Sequence, residues 1–153
     1  LNEYAPLGIE AAVTNTATVS GTGITPVTAA ETVNAEAAPN LAITKSVSPV
    51  PVTENGTLTY TFRIQNYGSV AATNTTGVVI TDTFAPVLNN LTAALNGTAW
   101  TAATDYTYNE ATGTFSSTAG AITVPAATYT QDSTTGAWVV TPGESTLVIT
   151  GTV

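Results

Sequence analysis

A chain of 153 residues with two cationic and ten acidic side chains, no histidine and no cysteine carries a net charge of −8. That balance argues against nucleic acid, whose phosphates are neutralised by clustered Lys and Arg, and against anionic lipid surfaces. It also leaves no ordinary catalytic triad, zinc site or thiol chemistry, and no apolar run approaches the about 20 residues of a membrane span.

Threonine makes up roughly a fifth of the chain, well above ordinary usage, and valine and alanine are abundant. Branched β-carbons suit a pleated, half-buried surface, and no stretch sustains a 3.6-residue period with caps. The expectation is an all-β protein, an antiparallel Ig-like two-sheet sandwich over residues 40–153 with an extended strand arm and linker over 1–39. The chain carries neither an initiator Met nor a signal peptide, which reads as a mature or excised segment.

In chain order, Ile9–Val19 and Thr28–Glu36 are strand-capable and joined by Ser20-Gly21-Thr22-Gly23, and Pro39-Asn40 leads into the body. Leu41–Val47 alternates and ends at Pro49 and Pro51, and Asn55-Gly56 supplies a turn. Leu58–Ile64 then places Leu58, Tyr60, Phe62 and Ile64 inward and Arg63 outward. Tyr67-Gly68-Ser69 turns the chain into a strand over Val78–Phe84, closed by Pro86. Leu91–Leu95, Asn96-Gly97 and Thr98–Thr101 read as a hairpin. The loops Asn109–Phe115 and Asp132–Trp138 echo each other, each with a Gly suited to positive φ and an aromatic restart. Ser145–Val153 is a final strand. Strands every ten or so residues, with turn signals between them, describe a sandwich. Leu41, Ile43, Tyr60, Phe62, Ile64, Val78, Ile80 and Phe84 are its expected interior.

Three polar residues break the pattern. Lys45 is in phase with Leu41, Ile43 and Val47; Asp82 with Val78, Ile80 and Phe84; Asn15 with Val13, Ala17 and Val19. A lysine, a carboxylic acid and a side-chain amide projecting into one β core form the constellation of a self-forming Lys–Asn isopeptide bond. Burial favours the neutral forms of amine and acid. The Lys45 amine is then a nucleophile toward the Asn15 carbonyl carbon, and Asp82 polarises that carbonyl and relays protons as ammonia leaves. The bland alternative is a Lys45–Asp82 ion pair with Asn15 merely hydrogen-bonded, although stranding buried charges costs several kcal/mol.

The body resembles the bacterial surface conserved repeat domain, domain of unknown function family eleven. The matching segments are Leu41-Ala42-Ile43-Thr44-Lys45, Thr57-Leu58-Thr59-Tyr60-Thr61-Phe62, Gln65-Asn66-Tyr67-Gly68 and Ile80-Thr81-Asp82-Thr83-Phe84. They cover about half of the chain. The family repeat closes with an Asn-Thr-Ala-Thr-Val strand, found here at Asn15–Val19, ahead of the domain it would complete. That order reads as a circular permutation, a frame cut across two repeats, or a subunit whose arm fills its neighbour's groove. The resemblance implies the same Lys45, Asp82 and Asn15 trio.

The expected function is a structural subunit of an extracellular bacterial fibre, pilus-like or a spore or cell-surface appendage. It assembles head to tail with identical subunits by donating the strand that carries Val13, Asn15, Ala17 and Val19. No enzyme activity beyond the autocatalytic bond, no cofactor, no metal, no nucleic acid and no membrane insertion are expected. The rival reading is a stalk repeat of a multi-domain adhesin. A carbohydrate-binding module would rest only on Trp100, Trp138, Tyr106 and Tyr108, residues that more often pack. Asn66 is in phase with the core and competes with Asn15 as acceptor, but its Asn-Tyr-Gly context favours turn capping.

Overall fold

The computed structural model describes residues 12–34 and 37–153. Within them the protein is all-β, with antiparallel sheets and no α-helix; one 3-10 turn spans Asn74–Thr76. The expected strand residues 9–11 and 35–36 lie outside the described range.

The larger sheet has five strands in the order β3 (Leu41–Ser48), β4 (Thr57–Asn66), β12 (Gly143–Thr152), β6 (Asn89–Leu95) and β7 (Thr98–Ala99). Strand β4 alternates as its sequence dictates: Leu58, Tyr60, Phe62, Ile64 and Asn66 are buried, while Arg63 points out and pairs with Glu144 of β12. Strand β12 lies between β4 and β6 and is the best-protected strand, with Leu147 and Ile149 fully buried opposite Phe62 and Tyr60. Each such side chain contributes about 1.5–3 kcal/mol by leaving water.

The smaller sheet has three strands in the order β5 (Thr81–Thr83), β9 (Thr114–Ser117) and β8 (Tyr106–Asn109). The two sheets close on one hydrophobic core, consistent with a β-sandwich. Its centre is aromatic: Phe84 lies 4.7 Å from Tyr60 and 6.3 Å from Phe115 between ring centroids, and Tyr106 lies 5.4 Å from Phe115.

Turn chemistry accounts for the connections. Asn96 and Gly97, at φ 49° and 80°, form the left-handed pair a two-residue hairpin requires, and Leu95 faces Thr98 across it. Gly113 has φ 71°, and a Cβ there would stand 2.5 Å from the Phe84 carbonyl oxygen, so only glycine lets this turn reach Phe84. The second echoing loop joins β10 (Thr128–Gln131) to β11 (Trp138–Thr141), with Gly136 at φ 72°.

The arm is a hairpin of β1 (Ala12–Gly21) and β2 (Ile24–Asn34), exposed throughout residues 14–33. Strand β2 starts earlier than expected and contains Pro26. The proline is tolerated because the ladder is irregular there, between the Val19–Val27 and Gly21–Ile24 pairs.

Two expectations need correction. Val78–Phe84 is not one strand; only Thr81–Thr83 form a ladder. Ser117 donates its backbone N–H to the Ile80 carbonyl and accepts the Ile80 N–H on its hydroxyl, each at 2.9 Å, and ends β9. Among the described residues no strand pairs with Val78 and Val79. Nor are all the expected interior residues inside. Leu41 and Ile43 remain 37% and 52% exposed, and Val78 is only half-buried. Strand β3 pairs with β4 on one side alone, and the three-stranded sheet is too narrow to cover it.

Candidate functional site

The uncovered side of the core is the candidate site. Strand β3 borders it in one sheet and β5 in the other, and both are edge strands. Register fixes which β3 residues face inward. Leu41, Ile43, Lys45 and Val47 stand opposite Asn66, Ile64, Phe62 and Tyr60, all buried, and antiparallel partners share a face. The row Leu41, Ile43, Lys45, Val47 therefore belongs to the core face, yet all of β3 is exposed. A groove of about 200 Å³ runs there between Leu41, Ile43 and Ile64 on one wall and Val78, Val79 and Ile80 on the other.

Lys45 and Asp82 meet across this opening. The Lys45 ammonium bonds Oδ2 of Asp82, bridging the two sheets. Oδ1 of Asp82 accepts the Thr83 backbone N–H at 2.9 Å, which fixes the carboxylate. Nζ also lies 4.8 Å, 5.3 Å and 5.5 Å from the ring centroids of Tyr60, Phe84 and Phe62. Aromatic faces attract a cation through their quadrupoles, so this cage holds the lysine tip against the core. The sequence placed all three rings in the interior; that they converge on Nζ depends on which strands neighbour β3. The pair retains solvent on its open side, where the Lys45 side chain is 41% exposed and that of Asp82 18%.

Asn15 is not brought to this pair within the chain. It lies on β1 with Glu31 of β2 as its cross-strand partner. Ala17 and Val19 pair with Ala29 and Val27, and Val13 stands opposite Val33 in the same ladder. Asn15, Ala17 and Val19 are exposed.

The other polar and aromatic candidates have structural work. Asn66 is fully buried and caps two turns: its Oδ1 accepts the backbone N–H groups of Asn40 and Gly68, and its Nδ2 donates to the carbonyls of Val70 and Pro125. All its hydrogen-bonding capacity is used. Trp100 stacks on buried Tyr106, whereas Tyr108 anchors Leu88 through its hydroxyl at both the N–H and the carbonyl. Trp138 lies on the separate β10–β11 hairpin. Among the described residues no group of three or more His, Cys, Asp or Glu is placed to hold a metal ion, and no helix is long and apolar enough to cross a membrane.

No family model, curated protein or solved structure matches the chain.

Proposed function

We propose that this protein is a structural subunit of an extracellular bacterial fibre, pilus-like or a spore or cell-surface appendage. Each subunit donates its N-terminal arm to the open side of an Ig-like sandwich in the next. The observation that carries this reading is the exposed core-face row of β3, with an apolar groove along Leu41 and Ile43 and the Lys45–Asp82 pair further along the same strand. Such an edge carries unpaired backbone groups and apolar side chains and invites an extended segment.

The arm has the complementary pattern. Running antiparallel to β3 with Asn15 at Lys45, it would bring Val13 to Val47, Ala17 to Ile43 and Val19 to Leu41. Running parallel with the same contact, it would bring Val19 to Pro49 instead. A contact between two different surfaces of identical subunits repeats without closing and generates a filament.

Docking also supplies the condition for the bond. In the open groove water supports the ion pair, whose strength is then modest. Once apolar side chains cover it, neutral forms are favoured, and proton transfer from Lys45 to Asp82 yields an amine and a carboxylic acid. The amine attacks Asn15, ammonia leaves, and an amide joins the subunits. No activity on external substrates is part of this reading.

Assembled material heated in SDS is the test. A ladder at multiples of 15.4 kDa, with a loss of about 17 Da (ammonia) per bond, is expected. A single large species from one long gene would point instead to the adhesin-stalk reading. Dissociation to monomers with a labelable Lys45 amine would eliminate the covalent bond.

A further inference from the structure

A sheet of five strands faces a sheet of only three, and the deficit lies on the β5 side, beside the exposed row on β3. The arm contains two strands, already paired. Their register sorts them into unequal faces. One carries Ala17 with Ala29 and Val19 with Val27, around the Asn15–Glu31 pair; the other carries Thr14 with Thr32 and Thr18 with Thr28. On the threonine face the Thr14 and Thr32 hydroxyls lie 2.9 Å apart and bond each other. Glu31 is the one ionisable group between residues 12 and 34, and it stands on the apolar face.

We propose that the whole β1–β2 hairpin is laid along the free edge of β5 in a second copy of this chain, setting Glu31 beside Asn15 as a second carboxyl group over Lys45 and Asp82. The proposal rests on the fibre-subunit reading and deepens it. Two added strands equalise the sheets, and the apolar hairpin face covers Leu41, Ile43 and Val47.

The second carboxyl has a defined task. The reaction forms the Lys45 Nζ–Asn15 Cγ bond and breaks Asn15 Cγ–Nδ2. The amine enters neutral, having given one proton to Asp82, which keeps it and hydrogen-bonds the carbonyl oxygen. Nζ must shed a further proton on adding to Cγ, and Nδ2 must gain one to leave as ammonia. The Glu31 carboxylate takes the first and returns it to Nδ2, ending unchanged. Side chains directly opposite in an antiparallel pair have Cβ atoms about 5 Å apart, within reach of a glutamate.

The full-length chain, with Glu31→Gln and Glu31→Asp variants, tests this. Fibre formation is followed by sedimentation and bond formation by the SDS ladder and intact mass. Gln keeps the shape and removes a charge that is costly to bury, so E31Q should assemble at least as readily as the unaltered chain. Its bond formation should slow at least about tenfold, within the range that positioned acid–base groups supply. E31D should recover part of that rate. Bond formation in E31Q at the unaltered rate, or a loss that only follows lost assembly, overturns the role of Glu31 and leaves the fibre reading intact. Fibres of the unaltered chain without any bond overturn the covalent bond together with the role of Glu31, and failure of the unaltered chain to form fibres at all overturns the fibre reading.

Discussion

At the scale of single residues, Lys45 and Asp82 pair across two edge strands, with one side of the pair open to solvent. Asp82→Ala should leave a folded, assembling protein whose mass shows no ammonia loss, because in the proposed mechanism the acid acts in forming the amide and not in keeping it. A covalent ladder in that variant would remove Asp82 from the mechanism. Asn66 makes the opposite prediction. Four backbone groups depend on its amide, so Asn66→Ala should cost about 2–4 kcal/mol in denaturant unfolding, from unsatisfied buried donors and acceptors. Burial raises the Tyr106 hydroxyl above its ordinary pKa near 10. The folded state thus holds that proton more tightly than the unfolded chain. Its contribution is complete below the unfolded pKa and is lost as pH rises through the folded one. Thermal stability should fall more steeply above pH 10 than in Tyr106→Phe.

At the scale of elements, β3 is the strand whose exposure matters. It is joined to the fold by its ladder to β4, while its core-face side chains contribute little burial. Ile43→Asp, at a position half open to solvent, should change monomer stability by no more than about 1 kcal/mol yet prevent fibre growth, because it puts a charge where the proposed assembly docks the arm. Normal growth of that variant, seen by electron microscopy, would show that the arm docks elsewhere. Removing residues 1–36 should give a folded body that does not polymerise alone but caps growing ends. The turn of the β10–β11 hairpin depends on Asp132, whose carboxylate accepts the Thr135 and Thr134 N–H groups and is held below its ordinary pKa by them. The order it lends that turn is present above the unfolded pKa and is lost as pH falls through the folded one.

At the scale of the whole molecule, the sheets are unequal, five strands against three, and in the proposed assembly the hairpin of a second copy would level them. A chain with 8% charged residues and no cysteine can use neither extensive ion-pair networks nor disulfides to resist stress. An amide between subunits would provide that resistance. Fibres should accordingly survive reducing agents and high salt, and fibres of Asn15→Ala should come apart in hot SDS where the unaltered ones do not.

Alternation by itself determined most of the strands: Leu58, Tyr60, Phe62 and Ile64 inward, Arg63 outward, and the hairpins at Asn96-Gly97, Gly113 and Gly136 follow from a period of two and from residues that accept positive φ. It also singled out Lys45, Asp82 and Asn15, because a polar residue in an apolar phase is visible without a fold. Only the tertiary structure decided that Leu41 and Ile43 stay wet and that Val78–Ile80 leave the ladder, since both depend on how many strands the opposite sheet supplies. The aromatic cage around Nζ was beyond reach for the same reason, whereas the pairing of Asn15 with Glu31 follows from the register of the β1–β2 hairpin, whose ladder is irregular between Val19 and Gly21. Periodicity says which face a side chain takes, and strand neighbours and register, set by long-range packing, say what it meets there.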